Sequence, residues 1–163
     1  MLPIRTILHP TDFSDNAAYA LQLACSLARD HGARLIVLHA HRPPVMVLGG
    51  TEAIPPLPVE EEIEELEAQL KALNLPMSGI TVERKLMQGE PVTTIVEFAQ
   101  RVPCDLIVMG THGRRGLRHL LMGSVAEQVV RKAPCPVLTV RVPFLTASET
   151  CPAVGASAPA GAV

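Results

Sequence analysis

Short apolar runs alternate with amphipathic stretches along the chain. Ile4-Arg5-Thr6-Ile7-Leu8 predicts a first strand, closed by His9-Pro10 because proline lacks an N–H for a sheet ladder and restricts the residue before it. Ala17, Ala20, Leu21, Ala24, Leu27 and Ala28 then recur at spacings of three and four. They predict a helix with a small inner face, capped by Ser14 or Asp15, running to Arg29–His31 and stopped at Gly32. Leu35-Ile36-Val37-Leu38 is apolar without alternation, the pattern of a parallel strand covered on both faces. Residues 41–59 carry five prolines and Gly49-Gly50 and read as a long loop. Glu60–Leu73 predicts a second helix with Ile63, Leu66, Leu70 and Leu73 as its stripe; the glutamates around that stripe form a solvated face that suits the helix N-terminus. Ile80, Val82, Arg84 and Leu86 alternate with Thr81, Glu83 and Lys85, as in an edge or half-exposed strand. A third helix follows Gly89-Glu90-Pro91 over Val92–Gln100. Leu106–Met109 is the most apolar strand and ends at Gly110. A fourth helix covers Ser124–Lys132, and Pro134-Cys135-Pro136 resets the chain into a fifth strand, Val137–Val142. Strand and helix alternate throughout, which predicts an α/β fold: one domain over residues 1–143, with a parallel sheet covered by helices on both faces. Phe144–Val163, made largely of Ala, Pro, Ser and Gly, is expected to be a disordered tail.

Composition narrows the function. The 163 residues are 48% apolar, with 14 Lys and Arg against 16 Asp and Glu, a net charge of −2. A sequence pI near 6.3 gives no general attraction for nucleic acid or an anionic membrane, so any nucleotide site must be local. With 2% aromatic residues, stacking platforms for single-stranded nucleic acid are nearly lacking. The longest stretch without a charged residue, Thr150–Val163, is shorter than the roughly 18–20 apolar residues of a membrane-crossing helix. Met1-Leu2-Pro3 leads straight into the first strand without a signal-peptide pattern, and the four cysteines show no Cys-x-x-Cys spacing, so a cytoplasmic protein with reduced thiols is expected. Cys104 and Cys135 each precede a strand, and a bridge between them is geometrically conceivable.

The chemistry concentrates at two strand ends. One is His9-Pro10-Thr11-Asp12-Phe13-Ser14. The other is Gly110-Thr111-His112-Gly113, nine residues, then Gly123-Ser124-Val125-Ala126 at the start of a helix. Glycines at a strand end allow close backbone approach, and a Gly-Ser helix start offers N–H groups and a hydroxyl where the dipole favours an anion. This is phosphate-binding chemistry.

The pattern Gly110-x-x-Gly113-x9-Gly123-Ser124, followed by Ala133-Pro134-Cys135-Pro136-Val137-Leu138, resembles the nucleotide-binding signature of the universal stress protein family. Ile7-Leu8-His9-Pro10-Thr11-Asp12-Phe13-Ser14 resembles that family's first strand and turn, and the likeness spans residues 4–142. The resemblance implies a doubly wound five-stranded parallel sheet in the order 3-2-1-4-5 and a stress-response or signalling role with bound ATP, or AMP or another adenine nucleotide, together with Mg²⁺. By matching position, Pro10, Thr11 and Asp12 would border the adenosine, with Asp12 reaching the ribose or a phosphate-bound Mg²⁺. Ala40 would contact adenine through its backbone and Met109 would pack on the ring. Gly110, His112, Gly113, Gly123, Ser124 and Val125 would line the phosphates, and Ala126 stands where relatives often carry a hydroxyl. In the implied order strands three and five are edges. Strand three carries Glu83, Arg84 and Lys85, whereas the strand at 137–142 has no charge before Arg141, so a homodimer through that strand is expected.

Plainer readings stand beside these. Asp12 can cap the turn before the first helix, His112 can be an exposed loop residue, and Arg114, Arg115 and Arg118 can simply solvate their loop. His39 and His41 share a face of the second strand without a third metal ligand placed by sequence. Other phosphate sites fail on residues: the chain has neither Gly-x-x-x-x-Gly-Lys-Ser/Thr nor Gly-x-Gly-x-x-Gly after the first strand, and it lacks the clustered acids of a phospho-acceptor domain. No positioned hydrolytic base is evident, which favours a nucleotide-binding protein over an enzyme. The alternatives are a slow ATP hydrolase or nucleotidyl-transfer enzyme of the related α/β group, and a ligand-free interaction module.

Overall fold

The computed structural model describes residues 3–42, 60–75, 79–111 and 122–141. Along them run β1 (Thr6–Pro10), α1 (Asp15–His31), β2 (Arg34–His41), α2 (Glu60–Ala72), β3 (Val82–Gln88), α3 (Pro91–Arg101), β4 (Leu106–Gly110), α4 (Ser124–Lys132) and β5 (Val137–Val140). The strands form one sheet in the order β3-β2-β1-β4-β5, every pair parallel. Fold class and strand order are therefore as the sequence and its resemblance implied.

Alternation along the central strands builds two cores. Ile7, Leu35, Val37 and Val108 pack with Ala20, Ala24, Cys25 and Ala28 of α1 and Leu70 of α2. Leu8, Ile36, Leu38, Ile107 and Met109 pack on the opposite face with Val92, Ile95 and Phe98 of α3 and Ala126 and Val129 of α4. This two-sided burial is why the central strands read as unbroken apolar runs. The alanines of α1 allow that helix to lie close against the sheet.

Several boundaries differ from expectation. The first strand starts at Thr6 and extends through His9-Pro10, two residues beyond its expected end, because β2 pairs with it as far as Pro10–Leu38. The second runs to His41, the expected start of the loop, because β3 pairs with it to His41–Gln88; β3 is itself shifted to Val82–Gln88 by the same register. Proline at the first turn and the Glu90 carboxylate, which accepts from the Thr93 N–H at 2.9 Å, start α3 one residue early. Burial alone would raise the Glu90 pKa, but the N–H groups of Thr93 and Val92, the Thr93 hydroxyl and the charge of Arg42 hold it below the ordinary carboxylate value. The fifth strand ends at Val140 among the described residues. The expected tail and most of the expected loop over 41–59 fall outside them.

Cys25, Cys104 and Cys135 are free thiols, and Cys151 lies outside the described residues. Burial, the neighbouring Cys135 and the charge of Asp105 push Cys104 up to about 11, and burial also raises Cys135. Both are thiols near neutral pH. No helix among the described residues is long and apolar enough to cross a membrane.

At the opposite end of the sheet from the two motifs, one carboxylate oxygen of Asp105 accepts from the backbone N–H groups of Arg5 (2.8 Å) and Thr6 (2.9 Å), fastening the start of β1 to β4. Asp105→Ala is expected to cost about 1–2 kcal/mol, the low end for charged hydrogen bonds because Asp105 is exposed. Asp105→Asn, which still offers an oxygen acceptor, should lose less. Urea unfolding midpoints check both, and an Ala variant as stable as wild type would show that water serves those N–H groups equally well.

Candidate functional site

Two halves of the sheet separate where the sequence motifs lie. On one side β1 remains with β2: Pro10 registers with Leu38, and the Thr11 N–H reaches the Leu38 carbonyl at 2.9 Å. On the other, β1–β4 pairing stops at Leu8–Ile107, while β4 continues with β5 to Gly110–Val140 and the Thr111 N–H reaches the Val140 carbonyl at 2.8 Å. The sheet thus divides between the carboxyl ends of β1 and β4, the place where open α/β sheets bind ligands.

The β1 wall is built from a tight turn. Pro10 and Thr11 are buried, and the Thr11 hydroxyl oxygen accepts from the Phe13 N–H at 3.1 Å. Asp12 Oδ1 accepts from the Ser14 N–H (3.1 Å) and hydroxyl (2.6 Å), and Ser14 Oγ accepts from the Ala17 N–H to cap α1. Asp12 thus has the plain turn-capping role weighed above, and the same bonds orient its carboxylate. Phe13 takes a left-handed backbone conformation (φ 62°) and sets its ring 4.5 Å from that of His39, whose Nδ1 donates to the Thr11 carbonyl at 2.8 Å. The stretch from Thr11 to Ser14 is held at every residue.

The β4 wall consists of Met109, which is buried, half-buried Gly110 and buried Thr111. A Cβ on Gly110 would lie 3.0 Å from the backbone carbonyl carbon and the Cβ of Asn16, so this glycine lets the first turn of α1 sit against the end of β4. Beyond it, the Gly123 N–H donates to the Thr111 carbonyl at 2.7 Å, which brings the start of α4 back to the end of β4. Gly123 is the N-cap of α4 and offers no side-chain hydrogen bond to it. Ser124, exposed, follows in the first turn with half-buried Val125, while Ala126 faces the core on the α3 and α4 side. An uncapped helix start with a hydroxyl beside it suits an anion.

Ala40, half-buried near the end of β2, registers with Met87. His112 and Gly113, with Arg114, Arg115 and Arg118, lie outside the described residues. The two strand histidines take separate partners: His39 serves Thr11, and His41 Nε2 lies 3.7 Å from a Glu62 carboxylate oxygen on α2. No cluster of three metal-ligating side chains occurs among the described residues.

Sequence reasoning named His9 without giving it a role and overlooked Asn16. His9 is completely buried, and its ring Nδ1 lies 2.8 Å from the Val108 carbonyl. A carbonyl only accepts, so Nδ1 carries the proton. Nε2, which has no hydrogen-bond partner, is then a bare lone pair and not an orphaned donor. Burial drives the His9 pKa down to about 4, with the Val108 hydrogen bond and the charge of Asp12 opposing it. The sequence signal was present: a histidine directly before a proline at the end of an apolar strand.

Residues 3–141 match the family model described as universal stress protein family. A universal stress protein of Methanocaldococcus jannaschii is 37% identical over 143 residues, covering 85% of this chain and 83% of that protein. Among solved structures, the universal stress protein from Archaeoglobus fulgidus in complex with dAMP is 28% identical at a TM-score of 0.61, covering 86% of this chain and 99% of its own. A universal stress protein in complex with cAMP is 29% identical at a TM-score of 0.56, covering 85% and 98%.

The neutral His9 makes stability depend on pH. Between the ordinary histidine pKa near 6.5 and its folded value of about 4, the unfolded chain takes up a proton that the folded chain excludes. Its contribution is therefore complete above about pH 6.5 and is lost as pH falls toward 4. Wild type is expected to lose about 2 kcal/mol more than His9→Asn between about pH 7 and pH 5. Urea unfolding of both proteins at the two pH values measures this, and parallel losses would refute it.

Proposed function

The chain belongs to the universal stress protein family, and we propose that it is an adenine-nucleotide-binding protein of stress response or signalling, holding ATP in the crevice between β1 and β4. One observation carries the reading: β1 and β4 part at their carboxyl ends, and the uncapped start of α4 is tied to the same point by the Gly123–Thr111 hydrogen bond. Two similar proteins of known structure hold adenine nucleotides, cAMP in one and dAMP in the other, which supports an adenine ligand here.

In this reading Pro10, Thr11 and Asp12 border the adenosine, Ala40 offers its backbone to adenine, and Met109 packs on the ring. Gly110, His112, Gly113, Gly123, Ser124 and Val125 line the phosphates. Asp12, turned by its bonds to Ser14, directs its carboxylate to the ribose or to a phosphate-bound Mg²⁺. The donors on the α4 side are backbone N–H groups and one hydroxyl, a set that suits phosphate oxygens. Mg²⁺ would neutralise phosphate charge when bound with ATP.

The same edge asymmetry supports a homodimer through β5. The bonds from Ile107 N–H to Pro136 C=O and from Thr111 N–H to Val140 C=O orient the even-numbered residues of this segment toward β4. The backbone groups of Val137 and Thr139 accordingly face the open edge, where Leu138 is also exposed.

Isothermal calorimetry with ATP and Mg²⁺ tests the binding reading. Ser124→Ala removes one hydrogen bond to a charged group and should weaken binding by roughly tenfold to a hundredfold. Gly123→Val should abolish binding without unfolding the protein, since its extended backbone (φ −71°, ψ 153°) accommodates a β-branched residue whose side chain would obstruct the phosphate approach. Absence of adenine-nucleotide binding by wild type rejects the reading, and unchanged affinity in both variants places the phosphates elsewhere.

Assembly has its own test. Light scattering at micromolar concentration should give twice the 17.4 kDa chain mass for wild type and a monomer for Thr139→Pro, which deletes an edge-facing N–H. A monomeric wild type, or a folded Thr139→Pro dimer, would reject pairing through β5.

A further inference from the structure

The Thr11 N–H points to β2 and the Thr6 carbonyl to β4, so even-numbered residues of β1 face β4. After the last pair, Leu8–Ile107, the next rung would run from the nitrogen of residue 10 to the Val108 carbonyl. Residue 10 is proline and has no hydrogen to give. The proline opens the sheet, and it would leave a carbonyl stranded on Val108, a residue that is itself completely buried. The neighbouring His9 ring supplies the missing donor, Nδ1–H to Val108 O, at 2.8 Å.

We propose that His9 is a positioning residue: its imidazole replaces the rung that Pro10 lacks and so sets how far apart the ends of β1 and β4 stand. The consequence extends beyond Val108. Three residues on, the Thr111 carbonyl holds the Gly123 N–H at 2.7 Å, so a displaced β4 end carries the first turn of α4 with it. Because both bonded groups are sealed from solvent, water does not take over if the ring is removed. The effect on ligand affinity rests on the nucleotide reading above; the effect on the crevice does not.

The test compares wild type, His9→Leu and His9→Asn. Leucine fills the buried volume without a donor, whereas the asparagine amide nitrogen stands nearly where Nδ1 does. In ligand-free protein, His9→Leu should remain folded and should speed hydrogen exchange of the Thr111 and Gly123 amides at least tenfold, with the Leu8 and Ile107 amides unchanged. Its affinity for ATP with Mg²⁺ should fall roughly tenfold, about the value of one hydrogen bond, and His9→Asn should restore both readouts. Wild-type exchange in His9→Leu, or equal defects in the Leu and Asn variants, overturns the proposal. Imidazole ¹⁵N shifts of wild type test it should His9→Leu fail to fold: an Nδ1–H tautomer retained near pH 5 is expected, and an Nε2–H tautomer overturns it. A wild type that binds no adenine nucleotide but shows the exchange pattern defeats the functional reading alone.

Discussion

At the carboxyl end of β1 the backbone must serve two neighbouring strands with one donor too few. Pro10 continues beside β2 yet offers nothing to β4, and the sheet divides there. In an apolar interior the stranded Val108 carbonyl would cost about 1–3 kcal/mol. The buried His9 ring removes that cost by donating from Nδ1, and its burial keeps the ring neutral. A single proline thus opens the crevice, and a single histidine makes the opening compatible with a dry core.

The two walls are then fixed by helix α1, which lies against the ends of both strands. Ser14 caps the helix and Asp12 holds Ser14, so the turn after β1 and the start of the helix are one hydrogen-bonded unit. On the other side, Asn16 occupies the space that a side chain at residue 110 would need. Two residues that read as ligand groups are therefore also required by the seating of α1. The left-handed Phe13, which costs on the order of 1–2 kcal/mol, is retained where the turn presses its ring onto His39.

Away from the crevice the sheet edges differ in their chemistry. The β3 edge carries Glu83 with Arg34 at 3.3 Å and Lys85 at 3.8 Å, exposed pairs of little energetic weight that still keep the edge polar. The β5 edge presents Leu138 and uncharged backbone instead. Charge marks the β3 edge, and the β5 strand itself carries none.

Period and punctuation in the chain were enough to determined the order of elements, because apolar spacing reports directly which faces are covered. The all-apolar run Leu35–Leu38 required helices on both sides, and the small residues of α1 required a close-lying helix; both are present. The placement of Gly110 at a strand end and of Gly123 and Ser124 at a helix start was legible because both are local features. Strand ends were read less well: β1 runs on through Pro10, and β2 reaches His41, because register is set by the neighbouring strand. The reason for Gly110 was equally out of reach, since Asn16, the residue it accommodates, lies 94 positions earlier in the chain. His9 shows the same limit most clearly. Its residue type announced a titratable group, but only the packed sheet placed Val108 within 2.8 Å, removed all water, and so decided that the ring is neutral, which nitrogen holds the proton, and what it supports.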